Sequence, residues 1–283
     1  MSVPVLATHN DAGVLLSDAP RLQVQRLFGV DMHSVTLEDV FSVIDAQIKA
    51  QRPSYIVTPN VDHICRLQYD AVFQQAYRAS VLSLPDGVPI IWASHFFRKP
   101  LQQKISGSDL VYWLSEHAAR RGHRVFFFGA PPGVAQDAAR RLRKRYPGLR
   151  VAGAYCPPLG FEQLAHQSAA ALDANRAPQP AICLVALGTP KQELWMHDSH
   201  RELGVPVLLG IGAGLDFVCG TAKRAPRLMQ RMGLEWLWRL CHDPRRLAPR
   251  YLMHDSQFLL LLLHEWRKAR IERRQVNVAK DSF

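Results

Sequence analysis

The stretch Ile182–Glu193 reads ICLVALGTPKQE and changes from wholly apolar to polar at Gly188. Six successive apolar residues without alternation predict a strand that is buried on both faces of a sheet. The Gly188-Thr-Pro190 segment ends that strand, and the polar residues after it begin a helix. A buried strand followed at once by a turn and a helix is typical of α/β proteins.

Five further apolar runs repeat this pattern, and a helix-length segment separates each from the next. Thr36-Leu-Glu-Asp39 forms a capping box ahead of apolar residues at helical spacing, so the first helix is expected to run to about Arg52. We therefore predict a Rossmann-like open, mostly parallel sheet with helices on both faces. The five runs are Tyr55–Val57, Val81–Leu84, Val125–Phe128, Leu149–Tyr155 and Val205–Ile211.

Composition divides the chain into three parts. Residues 1–22 are expected to form a mobile N-terminal segment, and residues 23–219 carry the alternating strands and helices. From residue 220 to residue 283 Arg, Trp and Pro replace that alternation, which predicts an α-helical basic appendage. The total of 283 residues, 48% hydrophobic and 21% charged, is that of a folded globular protein.

Membrane-spanning and disulfide-bonded classes find no support in the sequence. The longest apolar runs, Ala181–Leu187 and Phe258–Leu263, have seven and six residues, whereas a spanning helix needs about 20. Residues 1–22 lack the basic start and apolar stretch of a secretory signal, so we expect a cytoplasmic protein. The five cysteines are scattered without a C-x-x-C pair, which favours reduced thiols over zinc or redox chemistry.

Positive charge is concentrated in the appendage. Residues 220–283 hold 14 Lys and Arg against 6 Asp and Glu, a net +8, while the first 219 residues have 21 against 18, a net +3. Basic residues interleaved with Trp and Leu predict contact with an anionic membrane surface. The alternative is that the apolar residues pack on the main domain and the arginines are a solvated face. No nucleic-acid-binding module is recognisable, so nucleic acid is not an expected partner.

Ligands of an open α/β sheet bind beyond the carboxyl ends of its strands, so residues directly after the apolar runs are the candidates for a site. Asp86 follows such a run, and Gly87 allows a tight turn, so the Asp86 carboxylate is a candidate general base. Alternatively, Asp86 caps the helix that follows or forms the turn. Thr58 and Asn60 end another run and are expected either to hydrogen-bond a sugar or phosphate or to form the turn.

Three glycine-containing turns add weaker candidates. Gly129 opens Gly-Ala-Pro-Pro-Gly, whose N–H groups at a helix start suit an anion, although the segment is neither G-x-G-x-x-G nor a P-loop. Gly188 and Gly212 follow strands, and Gln192 can both donate and accept hydrogen bonds. Glu193 is expected to complement the dipole of its helix.

The sequence contains no D-x-D pair after a strand, and no His or Cys cluster has ligand spacing. We therefore expect a metal-free site. A leaving diphosphate must then be neutralised by fixed cations, for which Arg is best suited.

Taken together, seven motifs in this order resemble the WecG/TagA/CpsF glycosyltransferases, glycosyltransferase family 26, over roughly residues 25–252. They are Thr58-Pro-Asn60, Pro85-Asp-Gly87 with Pro89 and Trp92, Gly107-Ser-Asp109, Gly188-Thr-Pro-Lys-Gln-Glu193, Gly212-Ala-Gly214 with Asp216, Lys223-Arg-Ala-Pro226 and Leu234-Glu-Trp-Leu-Trp-Arg239.

The resemblance implies an inverting, metal-independent transfer of a hexose from a UDP-sugar to a polyprenyl-diphosphate-linked saccharide, in bacterial surface polysaccharide biosynthesis. The hexose would be N-acetylmannosamine, its uronic acid or glucose. The reaction would occur at the inner face of the cell membrane, with the protein attached peripherally and without a cofactor. The chemistry requires a base for the acceptor hydroxyl and charge neutralisation for departing UDP.

Residue by residue, the resemblance assigns the base to Asp86 and substrate contacts to Thr58, Asn60 and Gln192. It also implies that the basic tail closes over the site and supplies arginines to the diphosphate. The further substrate-binding residues that the resemblance implies are Asp216, Arg224, Arg239 and Arg246. Where a third tail arginine is expected, the chain has Pro249, and Arg250 is the next residue. The resemblance assigns no role to the residues from Phe258 onward.

Two other functions are alternatives to glycosyl transfer. A Rossmann-type nucleotide-binding oxidoreductase predicts G-x-G-x-x-G after the first strand and an acidic residue about 20 positions later, and the sequence has neither. A membrane adaptor without catalysis would need the tail but not the strand-end residues. The identity of the hexose and the acceptor stays open, and so does a homo-oligomeric state.

Overall fold

The computed structural model describes residues 22–158, 179–242, 244–245 and 257–280, without the side chains of 239 and 272–280. The expected mobile segment lies outside these residues apart from Leu22. The strands are β1 Gln23–Leu27, β2 Val30–Ser34, β3 Ser54–Val57, β4 Leu82–Ser83, β5 Arg124–Gly129, β6 Arg150–Tyr155, β7 Ile182–Ala186 and β8 Val207–Gly210. The helices are α1 Leu37–Ala50, α2 Val61–Arg66, α3 Ala71–Arg78, α4 Val88–Phe96, α5 Gly107–Arg121, α6 Val134–Arg145, α7 Lys191–Leu203, α8 Gly214–Cys219, α9 Arg227–Arg231, α10 Glu235–His242 and α11 Gln257–Lys280.

Six strands form one parallel sheet in the order β4-β3-β8-β7-β5-β6. Each of the six predicted apolar runs overlaps one of these strands, and α1 begins with the predicted capping box of Thr36 and Asp39. The prediction of an open parallel α/β sheet is therefore confirmed.

Both faces of the sheet are covered, and alternate strand residues enter two cores. On one face Ile182 and Leu184 pack with residues of α1, α5, α6 and α8. On the other face Cys183 and Val185 pack with residues of α2, α3, α4 and α7, with the β1–β2 hairpin and with Phe258 of α11. This double burial explains why the strands are apolar throughout rather than alternating.

The antiparallel β1–β2 hairpin was not predicted from the sequence. Its turn residues, Phe28 and Gly29, both have positive φ, 54° and 74°. Two-residue hairpin turns of this kind usually carry Asn-Gly or Asp-Gly, because a side chain such as Phe is disfavoured at positive φ. The Phe28 side chain is 3% exposed, and its burial in the second core favours the unusual turn.

The described part of the appendage is helical, in agreement with the prediction. It consists of α9, α10 and α11, of which α11 is the longest at 24 residues. Among the described helices, none combines the length and the apolar character that crossing a membrane requires.

Candidate functional site

Five neighbouring strands, β4-β3-β8-β7-β5, are followed by the candidate residues of the sequence analysis. Because parallel strands end at the same edge of a sheet, Asp86, Thr58, Gly212, Gly188 and Gly129 lie in a row along that edge. Four gaps between strands make the row about 19 Å long.

Asp86 lies at one end of this row, half-buried in the turn between β4 and α4. Its backbone N–H donates to the carbonyl of Pro59 at 2.8 Å, and the N–H of Ile105 donates to the carbonyl of Pro85 at 2.9 Å. Gly87, with φ 139°, is the N-cap of α4, so Asp86 precedes the helix and does not cap it. The turn is thus fixed to the end of β3 and to the segment before α5.

Thr58 and Asn60 occupy the turn after β3. Thr58 is 5% exposed. The Asn60 Oδ1 accepts the N–H of His63 at 3.1 Å and thereby caps α2. The turn role weighed for Asn60 is therefore present in the structure, while contact of either residue with substrate stays a prediction.

The N-terminus of α5 is pressed against the ends of β3 and β8. A Cβ added to Gly107 would lie 2.8 Å from the carbonyl oxygen of Gly210, 3.0 Å from the Cα of Ile211 and 3.3 Å from the Thr58 Oγ1. Glycine permits this close approach. The positive end of the dipole of a 15-residue helix is thereby brought to the row.

Two cations accompany the first turn of α5. Arg224 pairs with Asp109 at 2.5 Å. Lys104 lies 4.0 Å from Asp109 and 4.0 Å from Glu235 of α10. These pairs connect the appendage to α5, and they place Arg224, a predicted substrate-binding residue, beside that helix start.

A chain of buried polar side chains, here named the polar brace, lies under the row. The Tyr77 hydroxyl is 2.6 Å from His63 Nδ1, and His63 Nε2 is 2.5 Å from Thr189 Oγ1. The Thr189 hydroxyl donates to Glu193 Oε1 at 3.5 Å, and Gln192 Nε2 donates to the same oxygen at 2.7 Å. His63 lies in α2, which follows β3, while Thr189 and Gln192 lie in the turn and the helix start that follow β7. The brace therefore ties the segments after two strands of the row together from below.

The brace reaches a third turn through Gln192. The backbone N–H of Gly212, in the turn after β8, donates to Gln192 Oε1 at 3.1 Å. Gln192 is only 2% exposed. A Cβ on Gly210 would lie 2.9 Å from its Nε2. Gln192 is thus packed into the brace, and the predicted contact of its side chain with substrate stays a prediction.

Glu193 is the acidic end of the brace, and it lies in the first turn of its helix as expected from the sequence. It is 1% exposed, and within the described residues its Oε2 has no hydrogen-bond partner. Burial raises the pKa of Glu193 to about 7, although hydrogen bonds from Gln192 and Thr189 lower it. Burial also raises the pKa of Tyr77, and the charges of Glu193, Asp86 and Asp62 add to that effect.

The remaining glycines and Asp216 have structural explanations as well. Gly129 has φ 98°, and a Cβ there would lie 2.5 Å from the carbonyl oxygen of Ala186 in β7. Gly188 has φ 74°, and its carbonyl accepts the N–H of Gln192 at 2.9 Å. The Asp216 carboxylate accepts the hydroxyl of Thr221 at 3.1 Å. Ligand contacts by these residues stay predictions.

The tail arginines are only partly within the described residues. Arg239 lies in α10, but its side chain is not described, and Arg246 and Arg250 lie outside the described residues.

The turn between α9 and α10 approaches the start of α4, since a Cβ on Gly233 would lie 3.3 Å from Val88 and 3.6 Å from Trp92.

One group of metal-ligand types occurs among the described residues, and it is remote from the row. Asp45, His117 and His123 approach one another where α5 ends and β5 begins, at the opposite edge of the sheet. Both imidazole Nε2 atoms contact Asp45 Oδ1, at 2.9 and 3.0 Å, and Arg121 pairs with Oδ2 at 3.3 Å. This group could not be recognised in the sequence, because Asp45 is more than 70 residues from its partners.

Sequence reasoning also missed His63, Tyr77 and Lys104. His63 and Tyr77 follow no strand directly and lie inside helices, where a lone polar residue gives no signal. Lys104 stands in a loop without a motif. Only the paired Gln192-Glu193, directly after a predicted turn, pointed to the place where the brace forms.

The chain matches a protein-family model and is similar in sequence to several transferases. The family model described as the Glycosyl transferase WecG/TagA/CpsF family matches residues 25–272. The chain is 33% identical over 216 residues to the N-acetylglucosaminyldiphosphoundecaprenol N-acetyl-beta-D-mannosaminyltransferase of Bacillus spizizenii, covering 75% of this chain and 80% of that protein. It is 25% identical over 224 residues to a Staphylococcus aureus protein of the same name, covering 78% and 86%. The family match includes the first part of α11.

Proposed function

The chain belongs to the WecG/TagA/CpsF glycosyltransferase family, and we propose that it moves a hexose from a UDP-sugar to a saccharide carried on polyprenyl diphosphate. The names of its relatives favour an N-acetylmannosamine-type sugar and an N-acetylglucosaminyl-diphosphate acceptor; glucose is the alternative donor sugar. The product would enter bacterial surface polysaccharide. The observation that carries the proposal is the row of strand ends with Asp86 at one end and a cation-flanked helix start beside it.

The proposed reaction is a single displacement at the anomeric carbon. Asp86 accepts the proton of the acceptor hydroxyl, whose oxygen then bonds to the anomeric carbon from the face opposite UDP. The bond between that carbon and the diphosphate oxygen breaks, and UDP leaves with the electron pair. Attack from the opposite face inverts the anomeric configuration.

Negative charge that develops on departing UDP requires fixed positive groups. Arg224 and Lys104 lie at the first turn of α5, whose dipole adds further positive potential. The guanidinium of Arg224 suits a diphosphate because it presents several donors in one plane. In this scheme the protein's own cations neutralise the leaving group.

Access to a lipid-linked acceptor is expected at the inner face of the cytoplasmic membrane. On α11 the side chains of Leu259, Leu260 and Leu263 are 65%, 66% and 53% exposed, and on α4 Trp92 is 57% exposed. Apolar side chains of this kind next to a strongly basic segment suit peripheral attachment to an anionic bilayer. The packing of Phe258 in the core accounts for only part of the appendage's apolar residues.

A panel of UDP-sugars tests the proposal directly. The purified protein is incubated with each sugar and with N-acetylglucosaminyl-diphospho-polyprenol, and the product linkage is determined by NMR. We expect transfer from one UDP-hexose with inversion at the anomeric carbon. Retention of configuration, or transfer from none of the donors, would contradict the proposal.

A further inference from the structure

Helix α4 joins the proposed base to a cavity. The helix begins directly after Asp86-Gly87 and ends at Phe96. Its nine residues rise about 13 Å. Beyond its far end a cavity of about 270 Å³ opens between α4 and α11, lined by Phe96, Phe97, Trp266, Ala269 and Arg270.

The walls of this cavity are held in place by packing on both sides. Phe258, at the start of α11, is 7% exposed and lies 5.0 Å from the ring of Phe28. Further along α11, Glu265 is 7% exposed and lies 4.0 Å from the ammonium of Lys99, just after α4. Two separate contacts therefore fix α11 against the main domain, and the cavity is bounded by anchored elements.

The lining combines exposed aromatic surface with one cation. Phe96 is 65% exposed and Trp266 is 39% exposed. The guanidinium of Arg270 lies 4.2 Å from the centroid of the Trp266 ring. Large aromatic side chains left open to solvent mark a binding site for an apolar ligand, and the cation favours one that also carries negative charge.

We propose that this cavity binds the first isoprene units of the lipid-linked acceptor, with Arg270 beside the acceptor's phosphates. The inference rests on the proposed function. The acceptor has its reacting hydroxyl at one end and its polyprenyl chain at the other, separated by a sugar and a diphosphate. Helix α4 offers the same order, a base at its start and a cavity lined by aromatic side chains beyond its end.

Two acceptors that share the N-acetylglucosaminyl-diphosphate head test the proposal. One carries a long polyprenyl chain in detergent micelles, and the other carries a short water-soluble alkyl chain. The variants are Phe96→Ala and Trp266→Ala, and the matched control is Ile271→Ala, since Ile271 is 58% exposed on the same helix but does not line the cavity.

We expect KM for the polyprenyl acceptor to rise about tenfold in the two cavity variants. The cavity variants should keep kcat/KM for the short acceptor within about twofold of wild type. The control should keep kcat/KM for both acceptors within the same limit, which is about the effect of an ordinary surface substitution. Unchanged KM for the polyprenyl acceptor would overturn the cavity assignment while leaving glycosyl transfer intact. Equal losses with both acceptors would overturn it too, because they would indicate damage to the fold or the chemistry.

Vesicle binding separates the acceptor chain from bulk lipid. Binding of each variant to anionic vesicles without acceptor is measured by sedimentation. We expect the cavity variants to bind vesicles like the control. If the rise in KM were matched by an equal loss of vesicle affinity, the cavity would be a membrane contact and the proposal would be wrong. Failure of the wild-type protein to use either acceptor would remove the proposed function and this inference together.

Discussion

The two edges of the sheet hold similar groups with opposite properties. Under the carboxyl edge, Glu193 joins His63 in the polar brace, where burial raises its pKa to about 7. At the amino edge Asp45 joins His117 and His123. Burial raises the pKa of Asp45, but hydrogen bonds from the two histidines and the charge of Arg121 outweigh it, so that the pKa is lowered. Glu193 reaches its histidine only through the Thr189 hydroxyl, whereas Asp45 contacts both of its histidines directly. Direct partners and burial thus decide the ionisation of each carboxylate.

The difference matters for function because only the carboxyl edge is a place where ligands of such sheets bind. The brace connects the segments after β3, β7 and β8 beneath that edge, whereas the Asp45 group connects α1 to the end of α5. Variants at the two edges should therefore separate effects on transfer from effects on folding.

The largest difference, in the rate of transfer, is expected between substitution of Arg224 near the carboxyl edge and substitution of Arg121 at the amino edge. Arg224→Ala removes a guanidinium beside the start of α5 and should lower the rate of transfer about 10² to 10³-fold, the usual loss for a group that stabilises developing charge. Arg121→Ala removes the cation that pairs with Asp45 and should leave the rate unchanged. Steady-state kinetics of both variants measures the contrast, and equal rates in the two would contradict it.

A smaller contrast is expected for Glu193→Gln in thermal unfolding. Since the pKa of Glu193 is raised from 4.5 to about 7, its proton stabilises the fold below pH 4.5, and this stability is lost as pH rises through 7. The glutamine variant has no such loss. Its free energy of unfolding relative to that of wild type should therefore increase by up to about 3 kcal/mol between pH 5 and pH 8.

Glu202→Gln is the control for that experiment, because Glu202 is exposed on the same helix. Its free energy of unfolding relative to that of wild type should not change between pH 5 and pH 8. If the difference in free energy of unfolding between Glu193→Gln and wild type stayed constant from pH 5 to pH 8, the pKa of Glu193 would not be raised, and the prediction would be wrong.

The smallest effect is expected for Asp45→Asn. Because the pKa of Asp45 is lowered, its stabilisation is present at neutral pH and is lost as pH falls through that lowered pKa. The group is partly exposed, so the contribution should be less than about 1 kcal/mol. Urea unfolding at neutral and acidic pH measures it, and a larger loss, or any loss of transfer, would show that this edge does more than link two helices.

Much of the fold was predictable because its signal is local. The runs Val125–Phe128 and Ile182–Leu187 are apolar throughout, and each became a strand of the parallel sheet. The Phe28-Gly29 turn was missed because tertiary packing of Phe28, not turn propensity, selects it. The order of the strands also has no local signal, yet it is the order that brings Asp86 and Gly188 to one row.

The site was predictable only where its residues follow strands directly. Asp86 and Thr58 could be named from position alone, whereas the brace depends on partners far apart in the chain, such as His63 and Thr189, which are 126 residues apart. The low exposure of Gln192 likewise follows from packing against Gly210 and the turn after β8. Periodicity cannot reveal such contacts.

The central claim is that Asp86 takes the proton of the acceptor hydroxyl. Its most direct test is the single-turnover rate of Asp86→Asn with saturating UDP-sugar and acceptor, next to the same change at Asp31 on the hairpin. We expect Asp86→Asn to bind UDP like wild type and to transfer sugar at least about 10²-fold more slowly, while Asp31→Asn is unaffected. Transfer by Asp86→Asn at nearly the wild-type rate would contradict the claim.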